Sequence, residues 1–251
     1  EPSYLPFMKF SIEQSDGVTA VSRFLKEKTL TNYNINKDIR VIPNFIDYHK
    51  YHRIDASSLC KSIVSEGEKV LIHVSNFRQV KRVPDVIKIF HLVRQKIPAK
   101  LLLVGDGPDR SNCEKLVREL DIFNDVKFLG KQSELVPLLS ASDLFLMPSQ
   151  SESFGLSALE AMACELPVIS SSVGGLPELV SHGETGYIAE IGDVERMAKY
   201  AIELLTNENR YRLFAAASRK RAIDLFAADK VVDQYEQYYE QILSEKSVPA
   251  K

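Results

Sequence analysis

The chain has 251 residues, of which 45% are hydrophobic and 26% charged, and its formal net charge at pH 7 is −2. This is ordinary globular composition, enough for one large domain and part of a second. The small net charge argues against a strong general attraction to nucleic acid, and no apolar run approaches the roughly 20 residues of a membrane span.

The first 37 residues do not follow the pattern of the rest of the chain. They predict a helix, a strand at 17–21 and a second helix that begins after Ser22, a residue type favoured at the N-cap. Because one strand cannot form a sheet, we expect residues 1–37 to be the end of an N-terminal α/β domain that is mostly absent from this sequence.

From residue 38 onward, short apolar runs alternate with amphipathic stretches. The runs from 69 onward are almost continuously apolar, which indicates strands covered on both faces. Strand–helix alternation predicts an α/β fold with a doubly wound parallel sheet. We assign 38–225 to this domain and 226–251 to a C-terminal helix that packs on it or, as we favour, crosses back to the N-terminal part. The predicted strands are 39–43, 69–75, 100–105, 125–129, 143–147, 166–170 and 186–189, and the predicted helices are 83–96, 109–121, 133–141, 154–164, 194–205, 208–225 and 229–243.

The loop after strand 69–75 carries three cations, Arg78, Lys81 and Arg82, within five residues. Ligands of doubly wound sheets bind at the carboxyl ends of the strands, and a departing diphosphate requires positive charge there. A basic turn considered alone is more often simply solvated, but its place at a strand end favours a ligand role. Lys81 is the first candidate, with Arg78 or Arg82 as its partner.

The loop after strand 100–105 contains Gly105 and Gly107, in the string Gly-Asp-Gly-Pro. Glycines permit a close backbone approach at a strand-to-helix turn. A nucleotide contact and a plain tight turn with Pro108 at the helix start explain this string equally well.

Two glutamates, Glu152 and Glu160, bracket a predicted helix start after strand 143–147. Their spacing alone proves nothing, because Glu195 and Glu203 have the same separation on an ordinary amphipathic helix. Glu152, however, precedes a Phe-Gly turn whose free amides suit an anion. If the helix starts near Phe154, Glu160 lies ~9 Å along its axis. The helix is expected to bury Leu156, Leu159 and Met162.

Other polar groups have structural interpretations. We interpret Gly174–Glu178 as a turn that starts a short helix, His73 as a satisfied core histidine, and the run Arg219–Arg221 as a solvated helix face. Three cysteines are odd in number and lack metal-binding spacing, and no secretory signal is visible, so we expect a cytoplasmic protein with reduced thiols and no metal site. The cysteines are Cys60, Cys113 and Cys164.

Five strings, in order over about 39–225, resemble family 4 of the retaining glycosyltransferases: HVSNFRQVKRV, LLLVGDGP, ESFGLSALEAMACELPVI, VGGLPELV and GETGYIAEIGD. The resemblance implies a two-domain GT-B fold, in which the N-terminal domain binds the acceptor and a Rossmann-like C-terminal domain binds the UDP-sugar. It also implies metal-independent transfer with retention at the anomeric carbon. SNFRQVKRV, PNFID at 43–47 and TAVS at 19–22 are similar to the branch that uses UDP-N-acetylglucosamine and L-malate in bacillithiol biosynthesis.

The resemblance also implies roles for single residues. Lys81, with a neighbouring arginine, neutralises the diphosphate, Glu152 holds hydroxyl groups of the donor sugar, and Glu160 binds the ribose. Many family members have an arginine where this chain has Asn76, so Arg78 or Arg82 is expected to take its place. The predicted catalytic residues are Lys81, Glu152, Arg78 and Arg82, and the predicted donor-binding residues are Asn76, Gly105, Gly107, Ser153, Phe154, Gly155, Leu156 and Glu160.

The expected reaction is transfer of N-acetylglucosamine from UDP-N-acetylglucosamine to the hydroxyl group of L-malate, with no cofactor, metal, nucleic acid or membrane span. Three alternatives stay open: a different, lipid-linked or glycan acceptor, a UDP-N-acetylglucosamine epimerase, and a nucleotide-sugar-binding module without chemistry. The sequence also leaves open whether copies of the chain associate. The 251-residue chain alone is expected to bind UDP weakly without catalysing transfer.

Overall fold

The computed structural model describes residues 4–65 and 67–247, so the ends of the predicted regions 1–37 and 226–251 lie outside the described residues. The strands are β1 (Thr19–Ala20), β2 (Arg40–Val41), β3 (Lys69–Val74), β4 (Ala99–Val104), β5 (Val126–Gly130), β6 (Leu144–Met147), β7 (Val168–Ser171) and β8 (Gly186–Ala189). The helices are α1 (Leu5–Gln14), α2 (Arg23–Tyr33), α3 (Ser57–Ile63), α4 (Val83–Arg94), α5 (Arg110–Glu119), α6 (Val136–Ser140), α7 (Leu156–Ala163), α8 (Leu176–Leu179), α9 (Val194–Thr206), α10 (Glu208–Phe226) and α11 (Ala228–Ser247).

A six-stranded parallel sheet forms the centre of the molecule, with the strand order β5-β4-β3-β6-β7-β8. The predicted doubly wound parallel sheet is therefore confirmed. The strand order reverses between β3 and β6. Strands β4 and β5 follow β3 on one side of the sheet, whereas β6, β7 and β8 follow one another on the other side. At such a point the loops that follow the two strands diverge and leave a crevice.

Two hydrophobic clusters cover the faces of this sheet. In β4, Leu101 and Leu103 belong to the cluster packed by α4, α5 and α9, whereas Leu102 and Val104 belong to the cluster packed by α7 and α10. Successive strand residues point to opposite faces, so a strand covered on both sides must be apolar throughout. This requirement is why the continuous apolar runs predicted the sheet correctly.

A second, two-stranded parallel sheet joins β1 to β2. Strand β2 lies beyond the predicted domain boundary at residue 37, yet it pairs with β1 and not with the large sheet. Helix α11 lies against this small sheet, because the Tyr238 hydroxyl accepts a hydrogen bond from the Val18 N–H (3.1 Å) and the Arg40 guanidinium lies 5.1 Å from the Tyr238 ring centroid. The division into domains stays a prediction.

Some local features differ from the sequence-based expectations. Helix α3 was not predicted, because its short sequence lacks a clear apolar period. Helix α7 starts at Leu156 instead of Phe154, which places Glu160 ~6 Å along the helix axis from the first residue. None of the helices in the described part of the chain is long and apolar enough to cross a membrane.

Candidate functional site

Lys81 and Glu152 meet at the crevice between β3 and β6. The Lys81 ammonium donates to the Glu152 carboxylate at 2.5 Å, and the two side chains are only 21% and 14% exposed. Lys81 is in the loop after β3 and Glu152 is in the loop after β6. The structure thus brings together two residues that the sequence analysis had selected from separate loops.

A buried histidine supports the loop that carries Lys81. The ring of His73 is 0% exposed, and its Nδ1 donates to the Leu146 carbonyl oxygen (2.8 Å), since a carbonyl can only accept. Its Nε2 therefore accepts from the Ser75 hydroxyl (2.8 Å), whose oxygen in turn accepts from the Phe77 N–H (3.3 Å). Burial lowers the pKa of His73 to about 4, and the nearby Lys81 charge acts in the same direction. His73 is thus the satisfied core histidine that the sequence predicted.

The two predicted partners of Lys81 differ in their surroundings. Arg82 has a left-handed backbone (φ 51°), and its guanidinium group pairs with Asp85 at 2.5 Å. The Asp85 side chain is 7% exposed, so this pair anchors the start of α4. Arg78 is exposed and forms no ion pair with any residue that the structure describes. Of these two arginines, Arg78 is therefore the one whose guanidinium group is not already paired with a carboxylate.

Gly105 and Gly107 lie directly behind the loop that carries Lys81. A Cβ atom at Gly105 would lie 1.7 Å from the Ser75 carbonyl oxygen, and one at Gly107 would lie 2.0 Å from that of Asn76. No other residue type fits at such distances. These glycines fix the Lys81 loop by close packing, a role that has no signature in the sequence. A nucleotide contact stays a prediction.

A second glycine pair supports the loop that carries Glu152. Gly174 has φ +60°, and a Cβ atom there would lie 1.7 Å from the Glu152 carbonyl oxygen. The Gly175 N–H donates to the same oxygen at 3.1 Å. The predicted turn at 174–178 thus also holds the backbone of a site residue in place.

The start of α7 offers unpaired backbone donors beside Glu152. Gly155, in a left-handed conformation (φ 104°), is the N-cap, and among the described residues the amides of Phe154, Gly155 and Leu156 have no acceptor. Amides at a helix N-terminus suit an anionic group. The Leu156 side chain is 45% exposed, so the expectation that it is buried is wrong: it lies on the first turn, before the helix enters the core with Leu159.

Glu160 lies on α7 and is partly buried. Burial raises the pKa of Glu160, while a hydrogen bond from the Tyr51 side chain and the charge of Lys50 lower it. The pKa of Tyr51 is raised to about 12, first by burial and then by the charge of Glu160. Tyr51 could not be found from the sequence, because no spacing or periodicity links it to Glu160.

Helix α2 is also tied to the Glu152 loop. The Ser22 hydroxyl caps α2 by accepting from the Leu25 N–H (3.1 Å), as predicted, and it donates to the Ser153 carbonyl oxygen (2.7 Å). The Glu178 carboxylate accepts from the next two backbone N–H groups of α2, both at 3.0 Å. The small sheet and the predicted donor loop are therefore connected through one helix terminus.

The basic run on α10 is not a solvated face, so that interpretation is wrong for two of its three residues. Arg219 donates to the Tyr51 carbonyl oxygen (2.8 Å), and Arg221 donates to the Leu179 carbonyl oxygen (2.7 Å). Lys220 is exposed, as expected. The arginines join α10 to neighbouring segments through long-range hydrogen bonds.

Comparisons with known proteins agree with this architecture. Residues 59–221 match the family described as glycosyl transferases group 1, and residues 1–50 match the family described as glycosyltransferase family 4. The chain is 47% identical over 244 residues to N-acetyl-alpha-D-glucosaminyl L-malate synthase of Bacillus anthracis. This match covers 97% of the chain but 64% of the relative, so the chain spans a little under two thirds of that protein's length.

Solved structures show the same fold. A sucrose-phosphate synthase from Thermosynechococcus elongatus matches with a TM-score of 0.88 at 28% identity, covering 98% of this chain and 63% of that one. HepE from Anabaena, solved in complex with UDP and glucose, matches with a TM-score of 0.87 at 22% identity, covering 96% and 68%. Because the identity to HepE is only 22%, this match supports the fold and nothing about function.

Proposed function

The chain belongs to the group 1 glycosyltransferases, and from this premise we propose that it carries the donor site of an enzyme that transfers N-acetylglucosamine from UDP-N-acetylglucosamine to L-malate. The identity of 47% to the Bacillus anthracis malate synthase supports this choice of donor and acceptor. The observation that carries the proposal is the contact between Lys81 and Glu152 at the point where the strand order reverses.

In this proposal the ion pair opens when the donor binds. The diphosphate takes the charge of Lys81, and Glu152 then accepts hydrogen bonds from hydroxyl groups of the sugar. Arg78 supplies the second cation, because Arg82 is engaged by Asp85. The free amides at the start of α7 receive phosphate or sugar oxygens, and Glu160 binds the ribose.

Transfer is proposed to proceed with retention. The bond between the anomeric carbon and the phosphate oxygen of UDP breaks, and a bond to the malate hydroxyl oxygen forms on the same face. The hydroxyl proton passes to the departing phosphate, so no protein base is required. Positioning and charge stabilisation of the leaving group then supply most of the catalysis.

The test is a transfer assay on the natural protein that contains this chain, in the longest form its gene encodes. UDP-N-acetylglucosamine is compared with UDP-glucose, and L-malate with other hydroxy acids. We expect N-acetylglucosaminyl malate as the main product, with its anomeric configuration unchanged. Transfer to another acceptor only, or turnover of the donor without any acceptor, would contradict the proposal.

A further inference from the structure

The carboxylate of Glu178 joins the large sheet to the helix that follows the small one. Glu178 lies on α8, directly after β7. One of its oxygens accepts a hydrogen bond from the Arg23 N–H and the other from the Phe24 N–H, both at 3.0 Å. These amides are the first two of α2 and have no partner within that helix, and a negative charge is favourable at a helix N-terminus. The start of α2 is therefore held by both oxygens of one side chain.

The backbone of Glu178 is fixed from its other side by α10. The Arg221 guanidinium donates to the Glu178 carbonyl oxygen (2.8 Å) and to the Leu179 carbonyl oxygen (2.7 Å). The Leu179 side chain is 0% exposed and packs in the core. Hydrogen bonds from a charged donor are stronger than neutral ones, so Glu178 reaches toward α2 from a rigid position in the large domain.

The two elements that Glu178 joins both bind the Glu152 loop. From the turn at 174–178, the Gly175 N–H donates to the Glu152 carbonyl oxygen (3.1 Å). From the start of α2, the Ser22 hydroxyl donates to the Ser153 carbonyl oxygen (2.7 Å). Two consecutive carbonyl groups of the loop are thus held from opposite sides, and the Glu178 carboxylate closes the arrangement behind them.

Side-chain packing does not fix the distance between α2 and the Glu152 loop. A cavity of about 160 Å³ lies between them, and its lining includes Phe24, Lys28 and Asn32 of α2 and Glu152 itself. Helix α2 packs mainly on α1 and on the small sheet. Because the space between the helix and the loop is open, the hydrogen bonds at the start of α2 determine their separation.

We propose that Glu178 is a positioning residue of the donor site, which anchors α2 and thereby holds the Glu152 loop where its carboxylate meets the sugar of the donor. This rests on the proposed function, in which Glu152 binds sugar hydroxyls. The diphosphate and the ribose are assigned to Lys81 and Glu160, which lie on other elements. Loss of the Glu178 carboxylate should therefore weaken the contact with the sugar and spare the contact with the nucleotide.

The experiment compares the affinities for UDP and for UDP-N-acetylglucosamine, measured by calorimetry on the natural protein and its variants. We expect Glu178→Ala to weaken binding of the UDP-sugar about tenfold, the size typical of a lost hydrogen bond to a charged group, and to leave the affinity for UDP unchanged. Glu178→Gln keeps one acceptor oxygen and should lose less. The matched control is Glu195→Ala, because Glu195 also lies in the first turn of a helix but is exposed, and it should bind both ligands like the wild type.

A double-mutant cycle with Glu152→Ala separates this inference from the function on which it rests. If Glu178 acts through Glu152, the two losses should not add, so Glu178→Ala should cost no further affinity for the UDP-sugar in the Glu152→Ala background.

Three results would overturn the inference and leave the sugar role of Glu152 intact, provided that Glu152→Ala itself binds the UDP-sugar weakly. They are wild-type affinities in Glu178→Ala, equal losses for UDP and the UDP-sugar in that variant, and losses that add in the double variant. Wild-type affinity for the UDP-sugar in Glu152→Ala would overturn the sugar role, and the inference with it. Urea unfolding of each variant checks that the fold is kept.

Discussion

The ammonium group of Lys81 and the carboxylate of Glu152 lie 2.5 Å apart although 71 positions separate them in the chain. In the absence of ligand each side chain compensates the charge of the other, which matters because both are mostly shielded from water. A partly buried pair of this kind is costly to break from one side only. A ligand whose diphosphate pairs with Lys81 while its sugar hydroxyls donate to Glu152 would keep both charges compensated.

Replacing Lys81 by alanine is expected to lower kcat at least ~100-fold if the lysine stabilises the leaving group, the loss typical of removing one such donor. Steady-state transfer assays with UDP-N-acetylglucosamine and malate measure the effect. Lys96→Ala is the matched control, because Lys96 is an exposed lysine in the turn after α4, and it should leave kcat unchanged. Near wild-type turnover in Lys81→Ala would refute the leaving-group role.

Gly174→Ala is expected to destabilise the protein and to reduce transfer, because a Cβ atom there would lie 1.7 Å from the Glu152 carbonyl oxygen. Gly183→Ala is the control: Gly183 also has a positive φ (80°), but nothing lies within 4 Å of its Cβ position. The control should cost about 1–2 kcal/mol of unfolding free energy from backbone strain alone. Urea unfolding should show a clearly larger loss for Gly174→Ala, and equal losses would contradict the packing role.

Ser22→Ala should cost about 1 kcal/mol of unfolding free energy, the usual value of an N-cap. It also removes the hydrogen bond to the Ser153 carbonyl oxygen, so we expect weaker binding of the donor in the same variant. Ser22→Thr keeps a hydroxyl and is the control. If Ser22→Ala lowers stability with no change in the KM for the donor, helix α2 does not influence the Glu152 loop.

The stability of the protein should depend on His73 at acidic pH. The pKa of His73 falls from 6.5 to about 4 on folding, so the unfolded chain binds its proton first as the pH drops. The stability that the neutral ring contributes is complete above pH 6.5 and is lost toward pH 4, and it amounts to roughly 3 kcal/mol.

Urea unfolding between pH 7 and pH 4 tests this dependence. In His73→Gln the loss of unfolding free energy that His73 causes between pH 6.5 and pH 4 should vanish. His52→Gln, at an exposed position, should keep it. A parallel fall in stability for wild type and His73→Gln would show that other groups cause it.

The sheet and two of its site loops could be predicted from sequence because each has a local signature. A strand buried on both faces must be apolar at most of its positions, as Val70–Ile72 of β3 and Leu101–Val104 of β4 are. Loops at the carboxyl ends of such strands meet at one edge, which was enough to bring Lys81 and Glu152 together in the prediction. The roles of these residues in binding or catalysis stay predictions.

Long-range hydrogen bonds from side chains have no such signature. Arg219 and Tyr51 are 168 positions apart, and nothing in the period of α10 distinguishes an arginine that bonds a distant carbonyl from one in water. The clamping roles of Gly105 and Gly174 escaped prediction for the same reason, since each depends on a neighbouring loop. The expectation of burial failed at Leu156 because this residue is the first of α7 and lies at the exposed start of the helix.

The most direct test of the account is a crystal structure of the protein with UDP bound. We predict that the Lys81–Glu152 ion pair is open, with the diphosphate within hydrogen-bonding distance of the Lys81 ammonium and the ribose hydroxyls on the Glu160 carboxylate. UDP bound elsewhere, with Lys81 and Glu152 still paired, would contradict it.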